Sequence, residues 1–183
     1  MILLISGPAG VGKTSITDIL QKDHGYGTIK SSKYLREIAA REKLPITREN
    51  LIAIGDRLDE ETDYLWIVEK VTKPQIFENP SINNWLLDSV RKKQQVVHLR
   101  TKTYLEVFHV HVTASEEVIK ERYMLRQNHN KDSGYEQSYD DLIQCPNEIA
   151  SRSLEAIADY VLIYEDILPA QAAQKIMAQQ VAL

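Results

Sequence analysis

A cluster of glycines and one lysine, set directly after a short apolar run, constrains this chain more than any other feature. Ile2-Leu3-Leu4-Ile5 is continuously apolar, which suits a strand buried on both faces of a parallel sheet. Gly7-x-x-x-x-Gly12-Lys13-Thr14 follows at once, and Ile16, Ile19 and Leu20 then recur at helical spacing. Strand, glycine loop and helix form the setting in which this pattern wraps a phosphate. A loop around a triphosphate aims several backbone N–H groups inward, and side chains at Gly7, Gly10 and Gly12 would block that approach. The positive end of the following helix adds to the field. The expected nucleotide-binding set is therefore Gly7, Pro8, Ala9, Gly10, Val11, Gly12, Lys13, Thr14 and Ser15. Lys13 places a charge on the β and γ oxygens, and the Thr14 hydroxyl is a ligand for Mg²⁺. ATP with Mg²⁺ is the expected ligand.

The rest of the chain repeats the alternation of strand and helix. Leu35, Ile38 and Ala39 mark a second helix, stopped by Pro45. Thr47 is placed to cap a third, whose inner stripe is Leu51, Ile54 and Leu58. Trp85-Leu86-Leu87-Asp88 reads as a short buried strand ending in a carboxylate, Leu105 to Val112 as another strand and Tyr160 to Tyr164 as a further one. Ala172, Ala173, Ile176 and Met177 lie on a final helix. The expectation is an α/β three-layer P-loop fold over 1–183 as one domain, with a mainly parallel five-stranded sheet. An acceptor-binding helical segment is expected at about 30–75 and a lid at about 126–139, because Gln127 to Ser138 holds almost no apolar residue.

Asp88 should end beside the P-loop strand at the carboxyl edge of the sheet, where a carboxylate holds magnesium directly or through water. An N-cap for the next helix is the compatible structural role. A formal net charge of −4 gives no overall drive toward nucleic acid or an anionic membrane. A single cysteine, Cys145, excludes an internal disulfide. With no basic leader and no long apolar segment readable, a cytoplasmic location is expected. Oligomeric state is left open.

Several stretches, taken in order, resemble the nucleoside monophosphate kinases, and more narrowly the small P-loop kinases of dephospho-CoA-kinase-like or deoxynucleotide-kinase-like type. Gly7 to Thr14 is similar to their phosphate loop. Ser32-Lys33-Tyr34-Leu35-Arg36 resembles the start of their acceptor-binding helix, Leu87-Asp88-Ser89-Val90-Arg91 their Asp-Gly-x-Arg segment, Glu121-Arg122 through Arg126 the helix entering the lid, and Ala158 to Ile163 the final strand. The resemblance implies ATP-dependent phosphoryl transfer to a small nucleotide-like acceptor. It places Arg36 and Arg91 on the acceptor, Asp88 toward magnesium and Lys13, Arg91, Arg122 and Arg126 in catalysis. Departures are Ser89 where glycine is usual, Tyr164-Glu165-Asp166 where relatives carry Asn-Asp-Gly, and Lys30-Ser31-Ser32 in place of the usual Thr-Gly pair.

Arg122 and Arg126 also carry a physical argument. Four residues apart on one helix face they repel each other unless an anion lies between them, and a transferring phosphoryl group is such an anion. The expected acceptor is a (deoxy)nucleoside monophosphate, with dephospho-CoA as an alternative. An ATP-binding switch or sensor is the alternative from another class; it would need no acceptor clamp at Arg36 and Arg91. His109 and His111 share a strand face but read as packing rather than metal ligands. Asn130-Lys131-Asp132 lacks the spacing of a guanine-reading motif, and Asp56, Asp59, Glu60 and Glu61 read as a solvated helix face.

Overall fold

The structure is a computed structural model, and it describes residues 1–129 and 137–180. Five strands form one wholly parallel sheet in the order β2-β3-β1-β4-β5. These are β1 (Ile2–Ser6), β2 (Gly27–Thr28), β3 (Trp85–Leu87), β4 (Val107–Thr113) and β5 (Tyr160–Ile163). Central β1 is buried at every position. Its alternate side chains enter opposite cores: Leu3 and Ile5 join one apolar cluster, Ile2 and Leu4 the other. That is why the run reads as apolar without alternation.

Helix α1 (Lys13–His24) follows the loop, with Ile16 and Leu20 facing inward. It packs with α9 (Pro169–Gln180) over one face of the sheet, where Ala172, Ala173 and Ile176 are buried. Over the other face lie α2 (Ser31–Arg41), α3 (Arg48–Glu61), α4 (Lys73–Glu78) and α5 (Lys93–Lys102). Thr47 caps α3 as expected, its Oγ1 accepting the Asn50 N–H at 3.2 Å. A π-helical segment, Ile67–Thr72, leads into α4. Beyond β4 come α6 (Glu116–His129), α7 (Tyr139–Leu142) and α8 (Pro146–Ser153). Residues 130–136, most of the segment read as a lid, and with them the Asn130-Lys131-Asp132 motif, lie outside the described residues.

Two readings need correction. Asp59 is not solvated: it is 4% exposed, and its Oδ1 accepts from Trp66 Nε1 at 2.7 Å and Gln95 Nε2 at 2.9 Å. The helical stripe predicted for α3 is simply wider than Leu51, Ile54 and Leu58. Asp88 caps no helix, because α5 begins at Lys93 with Lys92 as its cap.

Among the described residues no helix is long and apolar enough to cross a membrane.

Candidate active site

The phosphate loop leaves β1 at the carboxyl edge of the sheet and enters α1. Gly7, Gly10 and Gly12 all have positive φ, between 91° and 135°. Their bareness has a structural reason as well as a ligand-binding one. A Cβ on Gly7 would lie 2.1 Å from the Val112 carbonyl oxygen, and one on Gly12 would lie 2.6 Å from the Tyr164 ring. The loop is pressed against β4 on one side and the end of β5 on the other.

Lys13 turns back over the loop and donates to the Gly7 and Pro8 carbonyl oxygens at 2.7 and 2.8 Å. Burial lowers its pKa to about 8, an effect opposed by nearby Glu148 and Asp88 and reinforced by Arg91 and Arg126. Thr14 and Ser15 are exposed at the first turn of α1. Asp88 directly follows β3, the strand paired with β1, and is exposed on the same edge.

Three cavities meet at this edge; the smallest, of about 300 Å³, is lined by Gly7, Lys13, Asp88, Arg91 and Glu148. Of the other two, one, of about 720 Å³, is lined by Gly10, Gly12, Lys13 and Thr14 together with Asp88, Arg122 and Arg126. The second, of about 450 Å³, lies between α2 and α3 and takes in Arg36. Arg48, Ser89 and Arg91 line both. The Thr14 hydroxyl and the Asp88 carboxylate bound the first cavity together, and two hard oxygen donors suit a magnesium ion whose other ligands are phosphates and water.

The residues expected from sequence therefore gather on one edge, but Arg122 is used differently from its expected face-to-face repulsion with Arg126. Its Nη1 donates to the Val11 and Tyr164 carbonyl oxygens at 2.9 and 2.8 Å, and its Nη2 to Glu165 O at 3.2 Å. The guanidinium also sits 4.8 Å from the centre of the Tyr164 ring. Backbone carbonyls, not a phosphate, answer its charge here. Tyr164, a departure from the resembled pattern, is thus the ring on which Arg122 rests beside Gly12.

Sequence reasoning missed three contributors. Arg48, the first residue of α3, lines both cavities. Glu148 on α8 accepts the Ala9 N–H with both carboxylate oxygens, at 3.1 and 3.3 Å. Its Oε1 also pairs with Arg152 Nε at 3.0 Å. Gln95 holds the backbone after Asp88, accepting from the N–H groups of Arg91 and Lys92 at 3.1 and 3.3 Å. Glu148 and Arg48 belong to no local motif and reach the site only through packing, whereas Gln95 is the third residue of α5 and belongs to its capping box.

His109 and His111 are buried under the loop, joined by one hydroxyl. Ser6 Oγ lies 2.7 Å from His109 Nε2 and 2.9 Å from His111 Nδ1. Burial lowers both imidazole pKa values to about 4, so both are neutral at pH 7. The hydroxyl then donates to one ring and accepts from the other.

A family model described as "AAA domain" matches residues 3–144. A cytidylate kinase from Sulfurisphaera tokodaii is 32% identical over 95 residues, 49% of this chain and 51% of that protein. Another from Saccharolobus islandicus is 33% identical over 78 residues, 43% of this chain and 36% of that protein. The matched stretch thus spans about half, or less, of these relatives' length. Among solved structures, a gluconokinase from Sinorhizobium meliloti superposes with a TM-score of 0.53 at 18% identity, covering 98% of this chain and 91% of that one. Shikimate kinase from Aquifex aeolicus gives 0.53 at 14% identity, covering 100% and 97%. At these identities the likeness is one of fold.

Proposed function

This chain belongs to the AAA-domain family of the model that matches residues 3–144, and from that premise we propose that it transfers the γ-phosphoryl group of ATP to a small phosphorylated acceptor, a (deoxy)nucleoside monophosphate. The observation that carries this reading is the junction of two cavities at shared cations. One is bounded by the phosphate loop, the other by α2 and α3, and Arg48 and Arg91 belong to both. A switch that hydrolyses ATP slowly needs the first cavity and has no use for the second. The P-loop cytidylate kinases to which parts of the chain are similar fit the same reading.

In this scheme the loop amides and Lys13 hold the triphosphate. Lys13, which lies over the loop on the Gly7 and Pro8 carbonyls, serves the β and γ oxygens. Thr14 and Asp88 would hold the metal, which when bound neutralises charge on the bridging phosphates. Arg91 and Arg48 at the junction, with Arg36 deeper in the second cavity, hold the acceptor phosphate in line. Arg126 answers the charge that develops on the transferred group, and Arg122 fixes the nucleotide end of the loop from its place on Tyr164. No covalent intermediate and no general base are needed when the acceptor is already a phosphate.

The test is ADP release with and without a panel of nucleoside monophosphates and dephospho-CoA. Stimulation by a nucleoside monophosphate is the expected result. Basal hydrolysis with no response to any acceptor would replace this reading with the ATP-dependent switch.

A further inference from the structure

We propose that Asp59 is the specificity determinant of the acceptor cavity, selecting a nucleobase that carries an exocyclic amino group over uracil or thymine. The inference rests on the acceptor reading above and deepens it. Arg48, Ser89 and Arg91 line both cavities, so the acceptor phosphate belongs at that end. Trp66, Gln95 and Asp59 line the second cavity and not the first. Leu35 and Leu51 line it as well. With the acceptor phosphate among those shared residues, a flat ring seated against Trp66, Leu35 and Leu51 would present its edge to Asp59.

Asp59 is held for this task. Its Oδ1 is occupied twice, by Trp66 Nε1 at 2.7 Å and Gln95 Nε2 at 2.9 Å, which fixes the carboxylate's plane. Among the described residues its Oδ2 meets only the Lys92 ammonium, at 3.7 Å, and Lys92 makes its closer contact at 3.0 Å to Asp56. Asp56 and Asp59 thus share one ammonium. An amino N–H donates to the open Oδ2 lone pairs. A keto oxygen in the same place meets them lone pair to lone pair and leaves a buried carboxylate oxygen without a donor. A ribose hydroxyl is the other donor that could reach such an oxygen, and the experiment separates the two.

The experiment is equilibrium titration of the intact chain, with Mg²⁺ and a non-hydrolysable ATP analogue, against CMP, dCMP, AMP, UMP and dTMP. It includes the cytidine analogue in which hydrogen replaces the amino group. CMP or AMP should bind on the order of tenfold tighter than UMP and dTMP, and the deaminated analogue should lose that advantage. Asp59→Asn should narrow the CMP-to-UMP ratio while leaving the CMP-to-dCMP ratio unchanged. The analogue comparison uses wild-type protein only, so the result stands even where the variant folds poorly. UMP or dTMP binding as tightly as CMP and AMP, or an analogue that binds like CMP, overturns the proposal. So does an Asp59→Asn variant that changes only the ribose-to-deoxyribose ratio, or binding by none of these nucleotides. Preferential CMP binding without acceptor-stimulated ADP release would keep this assignment and sink the kinase reading, so the two fail separately.

Discussion

The Glu148 carboxylate grips the Ala9 N–H of the phosphate loop with both oxygens, at 3.1 and 3.3 Å, across 139 residues of sequence. From the next turn of the same helix the Ser151 hydroxyl donates to the Gly7 carbonyl at 3.2 Å. Arg152 links Glu148 at 3.0 Å to Glu116 at 2.8 Å, and the Tyr139 hydroxyl donates to Glu116 at 2.6 Å. The first half of the loop is thus braced by α8, and α8 by α6 and α7.

Replacing Glu148 by alanine leaves the Ala9 N–H without its acceptor, at a cost on the order of 1 kcal/mol. The expected outcome is a several-fold higher KM for ATP with a smaller change in melting temperature. Glu148→Gln, which keeps an oxygen for the N–H, should recover most of the loss. Equal defects in the two variants would show that the charge, not the brace, matters.

Lys13→Ala should abolish tight ATP binding and turnover while leaving the fold intact, as calorimetric titration with and without magnesium would show. Wild-type Lys13 adds a pH signature. Burial lowers its pKa to about 8, and a triphosphate beside it raises that value. Binding above about pH 8 therefore takes up a proton, and affinity falls as pH rises through that range. Titrations in buffers of different ionisation enthalpy measure the uptake, and the same apparent enthalpy in every buffer near pH 8 would show that Lys13 takes up no proton on binding.

Arg91 lines both cavities, three residues after Asp88. Arg91→Ala should leave ATP affinity nearly unchanged and reduce acceptor-dependent ADP release. A positioned charged contact is worth about 2–4 kcal/mol in comparable sites, roughly 30- to 1,000-fold in rate. A variant that loses ATP affinity and keeps acceptor dependence would assign Arg91 to the donor side.

The His109–Ser6–His111 cluster predicts acid sensitivity of the fold. Burial holds both rings at folded-state pKa values of about 4, below the ordinary imidazole value of 6.5. The neutral rings thus contribute stability that is complete above about pH 6.5 and is lost as pH falls toward about 4. Charges around them include Arg100 and Asp159 beside His109, and Lys13, Arg152 and Glu155 around His111. Urea denaturation at pH 7 and pH 5 should show a clear loss for wild type and a smaller one for His111→Gln. An identical loss in both would place the acid-sensitive groups elsewhere.

The phosphate loop, its flanking strand and helix and the strand carrying Asp88 were legible in sequence because each is local. A glycine pattern, an unbroken apolar run and a helical stripe are set by neighbours a few residues apart. Thr47 was readable for the same reason: a cap bonds three residues ahead. The two-residue β2 was too short to show a period, and it exists only because β3 lends it hydrogen bonds. Asp59 looked solvated because charge predicts exposure unless partners are supplied, and its partners, Trp66 and Gln95, come from packing. Glu148 and Arg48 carry no local signature at all. The sequence by itself determined that a phosphate-binding loop opens an α/β sheet, since those instructions are short-range. Which distant side chains brace that loop and bound the second cavity was decided by tertiary packing, because hydrogen bonds across 139 residues have no period to read.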